Sequence, residues 1–173
     1  LAAPSTTRWV ERITSLGGFV EAFTVVYKAL KFMQEGGVND EFSTSSSDAS
    51  MYFRTIDNFE FVVSLLVTRN VFDHTLALTV QLQQQKLDLA ESLKQINLLK
   101  SQMAILRKSA EEFHSSWFDE AIDLAKDAGL IVPDGVHRIC KVQTQRENYP
   151  VDKKRDLYRL KLTIPLLDHI ITE

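Results

Sequence analysis

No glycine or proline occurs between Asn70 and Ala128. Within that stretch Leu89, Leu93, Ile96, Leu99, Met103, Leu106, Ala110, Phe113 and Trp117 recur at steps of three and four. That is the period of one face of an α-helix. The pattern predicts a very long helix over about Lys86 to Ala128, about 60 Å at 1.5 Å per residue. Gly129 then stops it, and Pro133 keeps it from resuming. Such a stripe fits a coiled-coil seam or one wall of an antiparallel bundle. Phe113, Trp117 and Phe118 are too bulky for a narrow seam and favour the bundle.

The rest of the chain obeys the same logic. Trp9, Ile13, Leu16, Val20, Phe23, Tyr27 and Leu30 mark a first amphipathic helix, capped by Thr6 or Thr7 and ending at Gly36-Gly37. Gly17-Gly18 inside it predicts a kink or a close helix crossing. Residues 38–50, with the run Ser43-Thr44-Ser45-Ser46-Ser47, read as a flexible loop, with Ser47 or Asp48 as N-cap of the next helix. Tyr52 to Val67 is apolar on every side and belongs at the centre of the core. Val71 to Leu82 reads as a helix or a continuation bent near Arg69-Asn70. Residues 133–150 lose helical period and read as a basic extended loop. A last helix runs from Lys153, capped by Asp152, to Leu160 and on toward Thr163, where Ile164-Pro165 interrupts or restarts it. The expected fold is mainly α: one helical domain over residues 1–173, a bundle with one very long helix and a short irregular C-terminal segment.

Composition excludes several classes. The chain has 173 residues, 45% of them hydrophobic and 25% charged, which suits one domain with its own core. The longest apolar run, Phe59 to Val67, is about half the roughly 18 residues of a membrane span, so no membrane is expected. One cysteine, Cys140, and four histidines make neither a disulfide framework nor a zinc finger. They suit a reducing, intracellular setting. The chain opens on Leu1 with no signal-peptide pattern and reads as part of a larger protein. Net charge is −3, yet His137–Lys161 holds eight Lys/Arg against three acids, which leaves −8 on the remainder.

Catalytic motifs do not emerge. There is no Gly-x-Ser-x-Gly elbow and no glycine-rich phosphate loop. Asp73-His74 and Asp168-His169 are adjacent pairs whose side chains diverge by about 100° on a helix, so neither makes a metal site alone. Cys140 lies near Arg138 and Lys141, which lower a thiol pKa, but a small packing residue is the simpler account. Two features remain. Arg8-Trp9, within Thr7-Arg8-Trp9-Val10-Glu11-Arg12, reads as a structural anchor at a helix start. Arg138, Lys141, Arg146, Lys153, Lys154 and Arg155, interleaved with amides and Tyr149, have the chemistry of phosphate contacts; a solvated basic surface has the same composition.

Thr7-Arg8-Trp9-Val10-Glu11-Arg12, Phe59-Glu60-Phe61-Val62-Val63-Ser64-Leu65, Leu82-Gln83 through Leu87-Asp88-Leu89-Ala90, Gln145-Arg146-Glu147-Asn148-Tyr149, and Tyr158-Arg159 leading to Ile164-Pro165-Leu166-Leu167-Asp168-His169-Ile170-Ile171 occur in this order across the chain. The ordered set resembles the hAT transposase superfamily, above all domesticated animal members related to the zinc-finger MYM-type proteins and the THAP-domain repressor of the inhibitor of protein kinase. Proteins of that kind have an RNase H-like core in which an Asp-Asp-Glu set binds divalent metal, interrupted by a large helical insertion. The resemblance implies that this chain is the insertion with its edges. It implies no catalytic residue and no cofactor in this chain, the metal belonging to the full-length core. It also implies DNA as partner, a nuclear location, and homo-oligomerisation as a possibility. Family members often carry a Cys just before the Thr-Arg-Trp; here Ser5-Thr6 stand there. A helical accessory segment of a DNA-associated protein is thus the first expectation. A protein-interaction or oligomerisation module of a transcriptional regulator that has lost transposase activity is the alternative. An independent enzyme is the least expected.

Overall fold

A computed structural model describes residues 8–35, 43–82, 89–133 and 153–172, with the side chains of Arg8, Trp9 and residues 43–46 excepted. Eight α-helices occur in order among these residues: α1 (Arg8–Gln34), α2 (Ser43–Ile56), α3 (Phe59–Asp73), α4 (Leu76–Leu82), α5 (Leu89–Lys108), α6 (Ala110–Ala128), α7 (Lys154–Tyr158) and α8 (Ile164–Thr172). A π-helical turn, Arg159–Thr163, joins the last two. No strand occurs among the described residues, and the helices form the expected bundle.

α3 is the centre of the core. Asn58 caps it, accepting a hydrogen bond from the Glu60 amide at 2.9 Å. Val62, Val63, Leu66, Val67 and Val71 are fully buried along it. The single central element expected over Tyr52 to Val67 is divided at Asp57-Asn58, and residues 52–56 belong to α2, where Tyr52 is 57% exposed. α1 and α6 flank it, and α2 lies along α1. Phe23, Phe61, Tyr27 and Phe53 form a ring cluster between α1, α2 and α3. At the head of α3, Phe59 meets Phe118 edge-on at 5.6 Å and Tyr158 at 6.4 Å. A second layer is built where α5 packs on α8, with Met103 and Leu167 both fully buried.

Further expectations are corrected. The long helix is divided at Ser109 (φ −99°, ψ 25°) into α5 and α6. Met103, Leu106, Ala110 and Trp117 of the stripe stay buried across the division, joined in α6 by His114, Phe118, Ala121 and Ala125, while Phe113 of the stripe is exposed. The expected loop over 38–50 is helical from Ser43, so Ser47 and Asp48 lie inside α2 and do not cap it; residues 38–42 lie outside the described residues. The break after α3 falls at His74-Thr75, beyond Arg69-Asn70, with a bend of 53°. Gly17-Gly18 neither breaks α1 nor marks a close crossing, since a Cβ at either position would meet nothing within 4 Å.

The helix stop at Gly129 is as expected. Its φ is +83°, and the Leu130 amide reaches back to the Ala125 carbonyl at 2.8 Å. At Ile164-Pro165 the α-helix restarts as α8 directly after the π-turn, the second of the two outcomes expected there. Pro165 has no amide hydrogen to give and its ring crowds the carbonyl four residues earlier. The turn before it widens, with the Ile164 amide bonded to Arg159, five residues back, so the chain passes the proline without a break. By length and hydropathy Val10–Gln34 would match a membrane span, which corrects the expectation that no segment approaches that length.

Candidate nucleic-acid interface

The basic segment enters the described structure at Lys153. Arg138, Lys141 and Arg146 lie outside the described residues, as does Cys140. α7 then presents its cations to α6, whose Glu111, Ser115 and Asp119 are spaced by four and share one face. Arg155 donates to Ser115 Oγ at 2.6 Å and pairs with Asp119. Its guanidinium also lies 5.4 Å from the centre of the Phe118 ring. Arg159 bridges Asp156 at 3.2 Å and Glu111 at 3.6 Å. Lys154 donates to the Pro133 carbonyl. Lys153 and Lys161 are exposed.

Of the three candidate cations described, Arg155 therefore serves a helix-to-helix joint and Lys154 a tie to the backbone at Pro133, while Lys153 faces solvent. Arg's planar fork suits such a multi-partner role, since it stacks on a ring and donates in two directions at once. Arg8 and Trp9 form the first turn of α1. Nearby, Glu11, Arg12, Ser15, Leu16 and Phe19 line an open depression of about 440 Å³ on α1.

One buried polar pair was invisible in the sequence. His114 Nδ1 lies 2.8 Å from Thr163 Oγ1 of the π-turn, and both residues are fully buried. Burial pushes the imidazole pKa down to about 4; the Arg155 backbone and Asp156 pull it up, and the Arg159 and Arg155 charges push it further down. The signal that could have found it is the ladder Ala110, His114, Trp117, Ala121, which competes with the Phe113 register. Elsewhere Tyr27 donates to Asp57 at 2.7 Å, and burial with that carboxylate raises the phenol to about 12. Burial, then the charge of Glu60, raises Tyr158.

The two Asp-His dipeptides serve the fold. Asp73 pairs with Arg69 at 2.9 Å, and Asp168 accepts both ends of the Arg107 fork at 2.6 and 3.3 Å. Among the described residues no group of three His, Cys, Asp or Glu is placed to hold a metal ion.

The chain is similar to the 52 kDa repressor of the inhibitor of the protein kinase from mouse and from human. Identity to each is 27% over 124 residues, which is 68% of this chain and 15% of the relative. The chain thus spans a small part of the length of these curated relatives. No family model and no solved structure matches it.

Proposed function

We propose that this chain is a non-catalytic helical scaffold within a DNA-associated regulatory protein of the nucleus, the insertion domain of a domesticated hAT-type transposase core. The observation that carries the reading is the similarity, over 124 residues, to proteins named as repressors. The charge pattern supports it, with eight cations against three acids between His137 and Lys161 in a chain of net charge −3. In this reading Arg138, Lys141, Arg146 and Lys153 contact phosphates, while Lys154, bonded to the Pro133 carbonyl, and Arg155, held by Ser115 and Asp119, fix α7 on the bundle. The scaffold brings no metal chemistry of its own; divalent metal belongs to the parent's core.

The test is binding of the chain to a short DNA duplex at roughly 50 and 200 mM salt, where about four phosphate contacts predict a loss of affinity of roughly a hundredfold. Arg146→Gln with Lys153→Gln is expected to lower the salt slope by about two. Failure to bind at the lower salt concentration would overturn the reading.

A further inference from the structure

α1 carries two apolar faces, and the bundle covers one. Ile13, Leu16, Val20, Phe23, Tyr27 and Leu30 face the core. A second stripe, Ser15, Gly18, Ala22, Val25, Ala29 and Phe32, steps by three, four, three, four and three along the other side. Ser15, Gly18 and Ala29 are exposed and Ala22 is half-buried. Val25 and Phe32 are 71% and 60% exposed, in a bundle that buries most of its large apolar side chains at least in part. That spacing is the a/d repeat of a helix pair.

We propose that this face pairs with the same face of a second copy of the chain, the two α1 helices running antiparallel about a twofold axis between Ala22 and Val25. The register comes from shape and charge together. In an antiparallel pair each a residue opposes a d residue of the other helix. One alignment sets Val25 of each copy against Ala22 of the other, Ala29 against Gly18, and Phe32 against Ser15, so every large side chain meets a small one. Gly18 has open space above its Cα. Ser15 sits on the rim of the depression lined by Leu16 and Phe19, which gives the incoming Phe32 ring an apolar seat. In that same alignment Glu21 of each copy falls beside Lys28 of the other, twice over by symmetry. Both are exposed and flank the stripe. Shape and charge thus choose one register independently, and the alternatives of a membrane or an unrelated partner explain neither the alternation of sizes nor the paired charges.

The contact from Ser15 to Phe32 is about 26 Å long. A single helix pair of that length buries less than a standard interface of about 1,600 Å², so the dimer is weak and depends on concentration. This inference is independent of the DNA reading, because α1 carries none of its phosphate contacts within the stripe.

The test is sedimentation of the chain from roughly 5 to 500 µM, with helical content and melting followed in parallel. A monomer–dimer equilibrium is expected. Val25→Glu is expected to weaken it at least about tenfold, since it sets two like charges beside the axis. Its 71% exposure makes the fold indifferent to the change. Glu21→Lys and Lys28→Glu singly are expected to weaken the dimer by about two- to fivefold, and the two together to restore it. Ile105→Glu, on the outer face of α5, is expected to leave it unchanged. A monomer at every concentration would overturn the proposal and leave the face to another occupant, a case that co-sedimentation with phosphatidylcholine vesicles would identify as lipid. A dimer insensitive to Val25→Glu, or one not restored by the double charge swap, would overturn the face or the register respectively.

Discussion

Two neighbouring cations, Lys153 and Arg155, have the same place in the charge count and different physical roles. Arg155 is held by Ser115, Asp119 and the Phe118 ring. Arg155→Ala removes these and is expected to cost about 1 kcal/mol of stability, because its ion pair is part-exposed and contributes little beyond packing and hydrogen bonding. Lys153→Ala is expected to leave stability unchanged and to lower only the salt slope of DNA binding. Thermal melts and salt titrations of both variants separate the roles; a larger slope change for Arg155→Ala at unchanged stability would reverse the assignment. Gly17 offers a second residue-scale expectation. It sits mid-helix with open space where a Cβ would go, so Gly17→Ala is expected to stabilise by about 0.5–1 kcal/mol, read as a higher urea midpoint. The sequence identified both positions as special but could not say why. A basic residue looks the same whether it awaits a phosphate or already holds a carboxylate, and a glycine looks the same whether or not anything packs above it.

Helix type and core placement were legible because period and apolar content act locally. α3 is central for the reason its composition states, and Gly129 stops α6 through its left-handed backbone. Boundaries were less legible. The stripe from Leu89 to Trp117 keeps step through Ser109, yet the helix divides there. No glycine or proline announces it, and the one local signal is the capping-box spacing Ser109-Ala110-Glu111-Glu112, whose Ser109 side chain makes no cap hydrogen bond. What decides the break is where α5 and α6 must pack: α5 on α8, α6 on α3. Within α5, Leu89 and Leu93 of the stripe are exposed while Met103 and Leu106 are buried, because its contacts with α8 gather toward its C-terminal half. The tie between α5 and α8 allows magnitudes to be compared. Leu167→Ala empties a fully buried site and is expected to cost about 2–5 kcal/mol. Asp168→Asn weakens the part-exposed pair with Arg107 and is expected to cost under about 1 kcal/mol. Urea unfolding of the two variants checks the ratio; equal losses would mean that the ion pair, and not the apolar contact, docks α8.

At the scale of the whole molecule α6 is the hub, contacting α3 and α1 on one side and α7 with the π-turn on the other. His114 sits at that junction, so its ionisation bears on the cohesion of the bundle and not on one helix alone. The groups around it are Thr163 Oγ1 at 2.8 Å, the Arg155 and Arg159 cations, the Arg155 backbone and Asp156. Desolvation is the largest influence and holds the folded pKa near 4 against an unfolded value of about 6.5. The unfolded chain therefore takes up a proton in the window between these values and the folded chain does not. Stability is complete above about pH 6.5 and is lost as pH falls through the window toward 4, by up to about 3 kcal/mol. His114→Gln keeps a hydrogen-bonding partner for Thr163 and cannot take up the proton. Its own stability is expected to be lower at pH 7, because a flexible amide replaces a packed ring. Its dependence on pH between 6.5 and 4.5 should nevertheless flatten relative to the parent chain. Urea midpoints of both chains across that interval make the comparison. Parallel curves would show that other groups drive acid unfolding and that the buried histidine contributes packing alone.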